Sequence, residues 1–169
     1  MDTSNLKLSV LGVVLALGSA VTPQQAGAVV TSRVGGGNAA NFCQSSLPVF
    51  DVQIRKRPLA VQNEGTTSAF VTCAFNSFSQ TQYVAVFFNS TTGSPTTLTC
   101  TGISGTNDGA AKYVLKDIPL AGNGTQNKVL WSAADFGGEF TGGGEFGILC
   151  NLPPKMGINN VAIGYDEAT

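Results

Sequence analysis

Downstream of residue 42, apolar and polar residues alternate with a period of two, the spacing of strands that bury one face. Phe50, Val52 and Ile54 alternate with Asp51, Gln53 and Arg55, and Val71, Cys73 and Phe75 share one face of the next apolar run. Leu98 and Cys100 stand opposite Thr97, Thr99 and Thr101, whose branched side chains suit the exposed side of a sheet. Tyr113 and Leu115 alternate with Lys112 and Lys116, and Phe146, Ile148 and Cys150 point one way. The run from Tyr83 to Phe88 is apolar on both faces, which fits a central strand or one whose outer face carries aromatics for binding.

These patterns predict eight strands, near residues 49–55, 69–75, 82–89, 96–102, 111–116, 127–132, 145–151 and 158–165, with no amphipathic helix among them. Turn residues punctuate the chain at Asn89 to Pro95, Asn107-Asp108-Gly109, Gly122-Asn123-Gly124 and the glycine-rich run Gly137 to Gly144. Pro119 is expected to close its strand, and Pro153-Pro154 to force a turn before Ile158. Many short strands between such turns define an all-β fold, an antiparallel β-sandwich of immunoglobulin-like or jelly-roll-like type.

The chain begins differently. Lys7, an apolar core from Leu8 to Leu17 and the small residues Ala26-Gly27-Ala28 have the order of a secretory signal peptide over residues 1–28. The apolar run is shorter than the roughly 20 residues a spanning helix needs, so no membrane span is expected in the mature chain. Residues 29–41, around Gly35-Gly36-Gly37, read as a flexible leader that hangs free or drapes over the body, and residues 42–169 as a single domain. The expected location is secreted, extracellular or periplasmic. Cys43, Cys73, Cys100 and Cys150 all lie after the signal peptide, and an even count in an oxidising compartment implies two disulfides. Four cysteines allow three connectivities, which spacing does not separate; the sequential one, Cys43 with Cys73 and Cys100 with Cys150, is the expectation adopted.

Composition narrows the chemistry. Nine basic residues stand against ten acidic ones, and the only basic run is Arg55-Lys56-Arg57, so no phosphate-neutralising face for a nucleic acid is expected. The chain has no histidine, which excludes Ser-His-Asp and Cys-His catalysis, and no cysteines lie at zinc-site spacing. No metal, cofactor or catalytic residue is assigned. Residues 142–147 match G-x-G-x-x-G, but a strand comes next where a dinucleotide site needs a helix. Asn107-Asp108-Gly109 and Asp166-Glu167 offer oxygen ligands for calcium without the spacing of an EF-hand. Acid-base work would fall to paired carboxylates, of which Asp135 with Glu139 is the candidate pair for a glycosidase.

Tyr83, Phe87, Phe88, Trp131, Phe140 and Tyr165 are candidates for an aromatic platform, with Tyr83 and Trp131 taken as the ligand-facing pair. Cys43, Val71-Thr72-Cys73, Cys100, the run Cys150-Asn151-Leu152-Pro153-Pro154, Ile158 and Tyr165-Asp166-Glu167 succeed one another in a layout that resembles a set of small secreted bacterial proteins of uncharacterised function. The resemblance implies an all-β export product of a bacterium and brings no catalytic residues. The functional expectation is a non-enzymatic, disulfide-stabilised protein that binds a glycan or an envelope component. An alternative is self-association as a subunit of a coat or filament, with residues 28–34 added as a strand to a neighbouring sheet. A carboxylate glycosidase stands third.

Overall fold

The computed structural model describes residues 29–76, 78, 80–106, 111–122, 127–138, 140 and 145–168. The expected signal peptide and the Asn107-Asp108-Gly109 turn lie outside the described residues. Eleven strands form two antiparallel sheets: β1 (Val30–Asn38), β2 (Cys43–Ser45), β3 (Ile54–Arg57), β4 (Ala60–Asn63), β5 (Ala69–Phe75), β6 (Thr81–Ser90), β7 (Thr96–Gly105), β8 (Lys112–Leu120), β9 (Asn127–Ser132), β10 (Glu145–Leu152) and β11 (Met156–Ala168). Sheet A has the order β3-β4-β11-β6-β9, with β1 also paired to β11, and sheet B the order β2-β5-β10-β7-β8. Only the β3–β4 and β7–β8 connections stay within a sheet; all the remaining connections cross to the other sheet. The result is a β-sandwich with winding of the jelly-roll kind.

The inner faces arise from the alternation. Along β5, Ala69, Val71, Cys73 and Phe75 are buried, and along β7 Leu98, Cys100, Gly102 and Ser104 are. They meet Val84, Val86 and Phe88 of β6, Ile158 and Val161 of β11 and Trp131 of β9 in one core. Burying each large apolar side chain contributes about 1.5–3 kcal/mol, and that term drives the sheets together.

Both disulfides have the sequential connectivity, and both lie within sheet B. Cys43 faces Cys73 across β2 and β5, and Cys100 faces Cys150 across β7 and β10, as directly opposed register pairs with all four cysteines buried. Because β5 also pairs with β10, the two bridges and one ladder join four of the five strands laterally. Neither bridge spans the two sheets.

Three expectations are corrected. Residues 49–55 are not one strand: Pro48 opens a 3-10 turn, and Phe50, Asp51 and Gln53 donate in succession to the carbonyls of Leu47, Pro48 and Phe50. Proline presets the turn dihedral, so the apparent alternation leaves Val49 and Val52 in water and the strand starts at Ile54. The stretch read as a flexible leader is β1, paired over nine positions from Val30↔Ala168 to Asn38↔Asn160, and succeeded by a helical turn, α1 (Ala39–Phe42). Its glycines serve close approach rather than freedom: the Phe78 and Tyr165 rings come within 3.6 Å of where a Cβ on Gly35 would stand, and Phe42 within 3.2 Å at Gly37. Pro119 does not end its strand. It lies inside β8, which among the described residues pairs only with β7 and so has a free edge that tolerates a missing N–H.

The bridge geometry sets a stability difference. Closing loops of 30 and 50 residues constrains the unfolded chain by about 3.6 and 4.1 kcal/mol in the chain-entropy treatment. Replacing Cys100 and Cys150 together by serine is expected to lower the urea unfolding free energy by about 2–4 kcal/mol, and by at least as much as the matching change at Cys43 and Cys73. Loss of less than about 1 kcal/mol on removing Cys100–Cys150 would contradict the assignment of this bridge as a stabilising element.

Candidate functional site

Sheet A turns its other face to solvent, and register decides what that face carries. Across β9, β6, β11 and β1, Ser132, Tyr83, Gly164 and Val34 form one row. Leu130, Ala85, Ala162 and Gly36 form the next, and Lys128, Phe87, Asn160 and Asn38 a third. The two rings thus come from one strand, four residues or about 13 Å apart on the same side, while β11 supplies small residues beneath and beside them.

Tyr83 lies against bare backbone. A Cβ on Gly164 would stand 2.2, 2.5 and 2.7 Å from three atoms of its ring, so glycine is what lets the ring settle on the sheet. One aromatic face is spent on the sheet, and Tyr83 keeps part of its surface exposed. Next to Phe87 a groove of about 420 Å³ runs over Gly36 and Ala162, with Val34 and Asn160 on its walls. Gly36 has φ +149°, and a Cβ there would meet the Val161 carbonyl oxygen at 2.1 Å, so this floor stays low for a steric reason. Chemically, the face offers two flat apolar rings with Ser132, Lys128 and Asn160 around them. Aromatic faces pack against the C–H side of a pyranose while hydroxyl, ammonium and amide groups meet its hydroxyls. At the far end Asp166 accepts a hydrogen bond from the Ser32 hydroxyl at 2.7 Å, and Glu167 pairs with Arg33 at 3.1 Å. Both acids are therefore engaged with β1.

The other sequence candidates fall elsewhere. Trp131, taken with Tyr83 as ligand-facing, has 0% of its surface exposed. It sits at an odd position of β9 among even outward positions, its indole N–H donates to the Val114 carbonyl at 3.2 Å, and its ring occupies the space a side chain at Gly102 would fill. No surface ligand reaches it. Phe88 and Phe140 are core residues, and Tyr165 stacks on Phe78 with ring centroids 3.9 Å apart. Tyr113 and Leu115, expected on a buried face, are outward and largely exposed, because the register sets Val114 and Lys116 on the side of Gly102 and Cys100. Among the described residues no cluster of three or more cysteines or acids could hold a metal. Asn107, Asp108 and Glu139 lie outside them.

No family model and no curated protein matches the sequence. Among solved structures the chain is similar to an exo-β-1,3-galactanase from Phanerochaete chrysosporium, at 18% identity over 78% of this chain and 29% of that one, with a TM-score of 0.47. It is also similar to the CBM35 module from Paenibacillus barcinonensis, at 13% identity over 80% and 99% of the two chains, TM-score 0.46. A third is a family 11 carbohydrate-binding module from Clostridium thermocellum in complex with a β-1,3-1,4-mixed-linked tetrasaccharide, at 12% identity over 79% and 87%, TM-score 0.43. The chain spans less than a third of the galactanase. At these identities and scores the likenesses carry no argument about ligand or activity.

Asp135, the described member of the candidate glycosidase pair, is a capping residue. It accepts from the Ser132 backbone N–H at 2.7 Å, the Ser132 hydroxyl at 3.1 Å and the Lys116 ammonium at 2.9 Å, closing a capping box on the short helix Ala133–Phe136. Partial burial pushes its carboxyl up, but the Ser132 N–H and then Lys116 outweigh this and hold it below the usual carboxylate range. A general acid needs the opposite shift. A pKa lowered on folding contributes stability that is complete above the ordinary carboxylate value and is lost as pH falls through the lowered one. Asp135→Asn is therefore expected to cost about 1–2 kcal/mol at pH 7, cap and partly exposed ion pair together. Urea titrations should show the gap between variant and parent steady above about pH 5 and closing below about pH 4.

Proposed function

We propose that this protein is a non-catalytic carbohydrate-binding sandwich, exported and disulfide-stabilised, whose site is the solvent face of sheet A centred on Tyr83 and Phe87. The observation that carries the proposal is the seating of Tyr83 on Gly164. A tyrosine held flat against the sheet has given up rotamer freedom before any ligand arrives, so stacking a sugar on its outer face costs little further ordering. Phe87 and the groove beside it extend the platform by about 13 Å along the strand, room for more than one ring of a chain. Lys128 at one side and Asp166, bound to Ser32, at the far end leave the face close to neutral, which favours a neutral glycan over a polyanion.

Two observations weigh against the rival functions. Residues 30–34 of the segment that would add as a strand to a neighbouring subunit are already paired with the chain's own β11, and the carboxylate proposed for catalysis is committed to a helix cap.

Calorimetric titration of the purified protein with neutral polysaccharides and their oligomers tests the proposal. Binding is expected to weaken about tenfold in Tyr83→Ala and again in Phe87→Ala, near 1.4 kcal/mol each, and to survive in Tyr83→Phe, which keeps the ring. Gly164→Ala, which displaces the ring without removing it, is expected to weaken binding as Tyr83→Ala does. Circular dichroism melts of each variant confirm the fold. The proposal fails if no neutral glycan binds, or if a glycan binds equally well in both alanine variants.

A further inference from the structure

We propose that the edge formed by the turn 47–53 and β3 docks on an anionic lipid bilayer. Leu47, Val49 and Val52 expose 55%, 65% and 73% of their surface on consecutive turns, and Leu59 exposes 76% at the tip of the β3–β4 hairpin. Exposed aliphatics scattered singly are ordinary, but four within thirteen residues along one edge are not. The same edge carries Arg55, Lys56 and Arg57, all exposed, on a strand with no neighbour beyond it among the described residues.

Three cations, Arg55, Lys56 and Arg57, and two carboxylates, Asp51 and Glu64, share this edge and leave it a net charge of +1. Arg57 pairs with the Glu64 carboxylate. Arg55 donates to a backbone carbonyl, that of Asp51, at 2.9 Å. Lys56 lines a cavity of about 460 Å³ with Gln44, Ser46, Leu47 and Asp51, and the Asp51 carboxylate in that wall accepts from the Ser45 hydroxyl. Among the described residues Arg55 and Lys56 have no carboxylate within ion-pair distance. Cations on an edge strand also guard it against pairing with another strand. That role needs no aliphatic side chains in water beside them. Aliphatics that enter the boundary between headgroups and acyl chains, with cations at phosphate depth, match the two halves of an interfacial membrane site.

Co-sedimentation of the purified protein with vesicles of phosphatidylcholine, with and without phosphatidylglycerol, tests this. Binding is expected to the anionic vesicles at low salt, not to the neutral ones, and to fall as salt approaches about 0.5 M. Arg55→Gln with Lys56→Gln should weaken it about fivefold per cation removed, and Val49→Asp with Val52→Asp should abolish it. Phe87→Ala should leave it unchanged, which separates this surface from the glycan face. All the substituted side chains on this edge are exposed or nearly so, and melts confirm that the variants fold. The proposal is overturned by no binding to anionic vesicles, by equal binding to both lipids, by binding that survives the Arg55 and Lys56 changes, or by a dimer that forms through Val49 and Val52 in place of vesicle binding.

Discussion

The sandwich rests on one steric fit between its layers. Both disulfides lie inside sheet B, so no disulfide ties the sheets face to face, and packing must set their distance and alignment. One such fit between the layers is Trp131 of β9 on Gly102 of β7, where a Cβ would stand 2.5 Å from the indole nitrogen. The absent side chain makes the slot, and the largest side chain in the core fills it. Its one polar atom is satisfied by the Val114 carbonyl of β8, directly opposite Gly102 in register, so the indole is buried without an orphaned donor. Phe146, 6.1 Å from Trp131 and in contact with Phe75, Phe136 and Phe140, carries that packing through the rest of the core.

The two sheets solve the same problem by different means. Sheet B is stapled sideways, with sulfur at opposed positions of β2–β5 and β7–β10, and the outward positions of β7 are largely threonine. Sheet A has no staple. Its long central strands, β6 and β11, hold it by their ladder, and its edge strand β1 puts none of its own side chains into the buried core. What secures β1 is backbone pairing, an Asn38 cap on α1, and polar links from Ser32 and Arg33 to Asp166 and Glu167.

This difference explains which parts were legible in the sequence. Strands that bury side chains announce themselves by alternation, so β5, β7 and β10 were readable from Val71, Cys73, Leu98, Cys100, Ile148 and Cys150. A strand held by backbone bonds has no such pattern, and Gly35-Gly36-Gly37 read as slack where it is close packing. Residues 49–55 show the converse error, where real alternation is overruled by one proline at position 48. The two aromatics expected to face a ligand are divided by strand parity: Tyr83 belongs to a strand apolar on both faces, and only its pairing with Gly164 shows which side it takes. Trp131 shares its apolar character but not its side. The glycine partners that decide both cases, Gly164 and Gly102, lie about 80 and 30 residues away in the chain, beyond any local pattern.

The register of β11 against β6 shifts twice, between Ile158 and Asn160 and between Gly164 and Tyr165. Such shifts insert a residue, increase the local twist and re-aim the side chains beyond them. Between them lies one regular stretch in which Asn160, Ala162 and Gly164 face solvent against Phe87, Ala85 and Tyr83. Tyr165, next to Gly164 in the strand, alternates to the opposite face and stacks there on Phe78, so it does not crowd Tyr83. The platform is therefore bounded by backbone irregularity at both ends and floored by residues too small to obstruct it. Its flatness is a property of one strand pair, and that pair is the central ladder of the sheet that no disulfide supports.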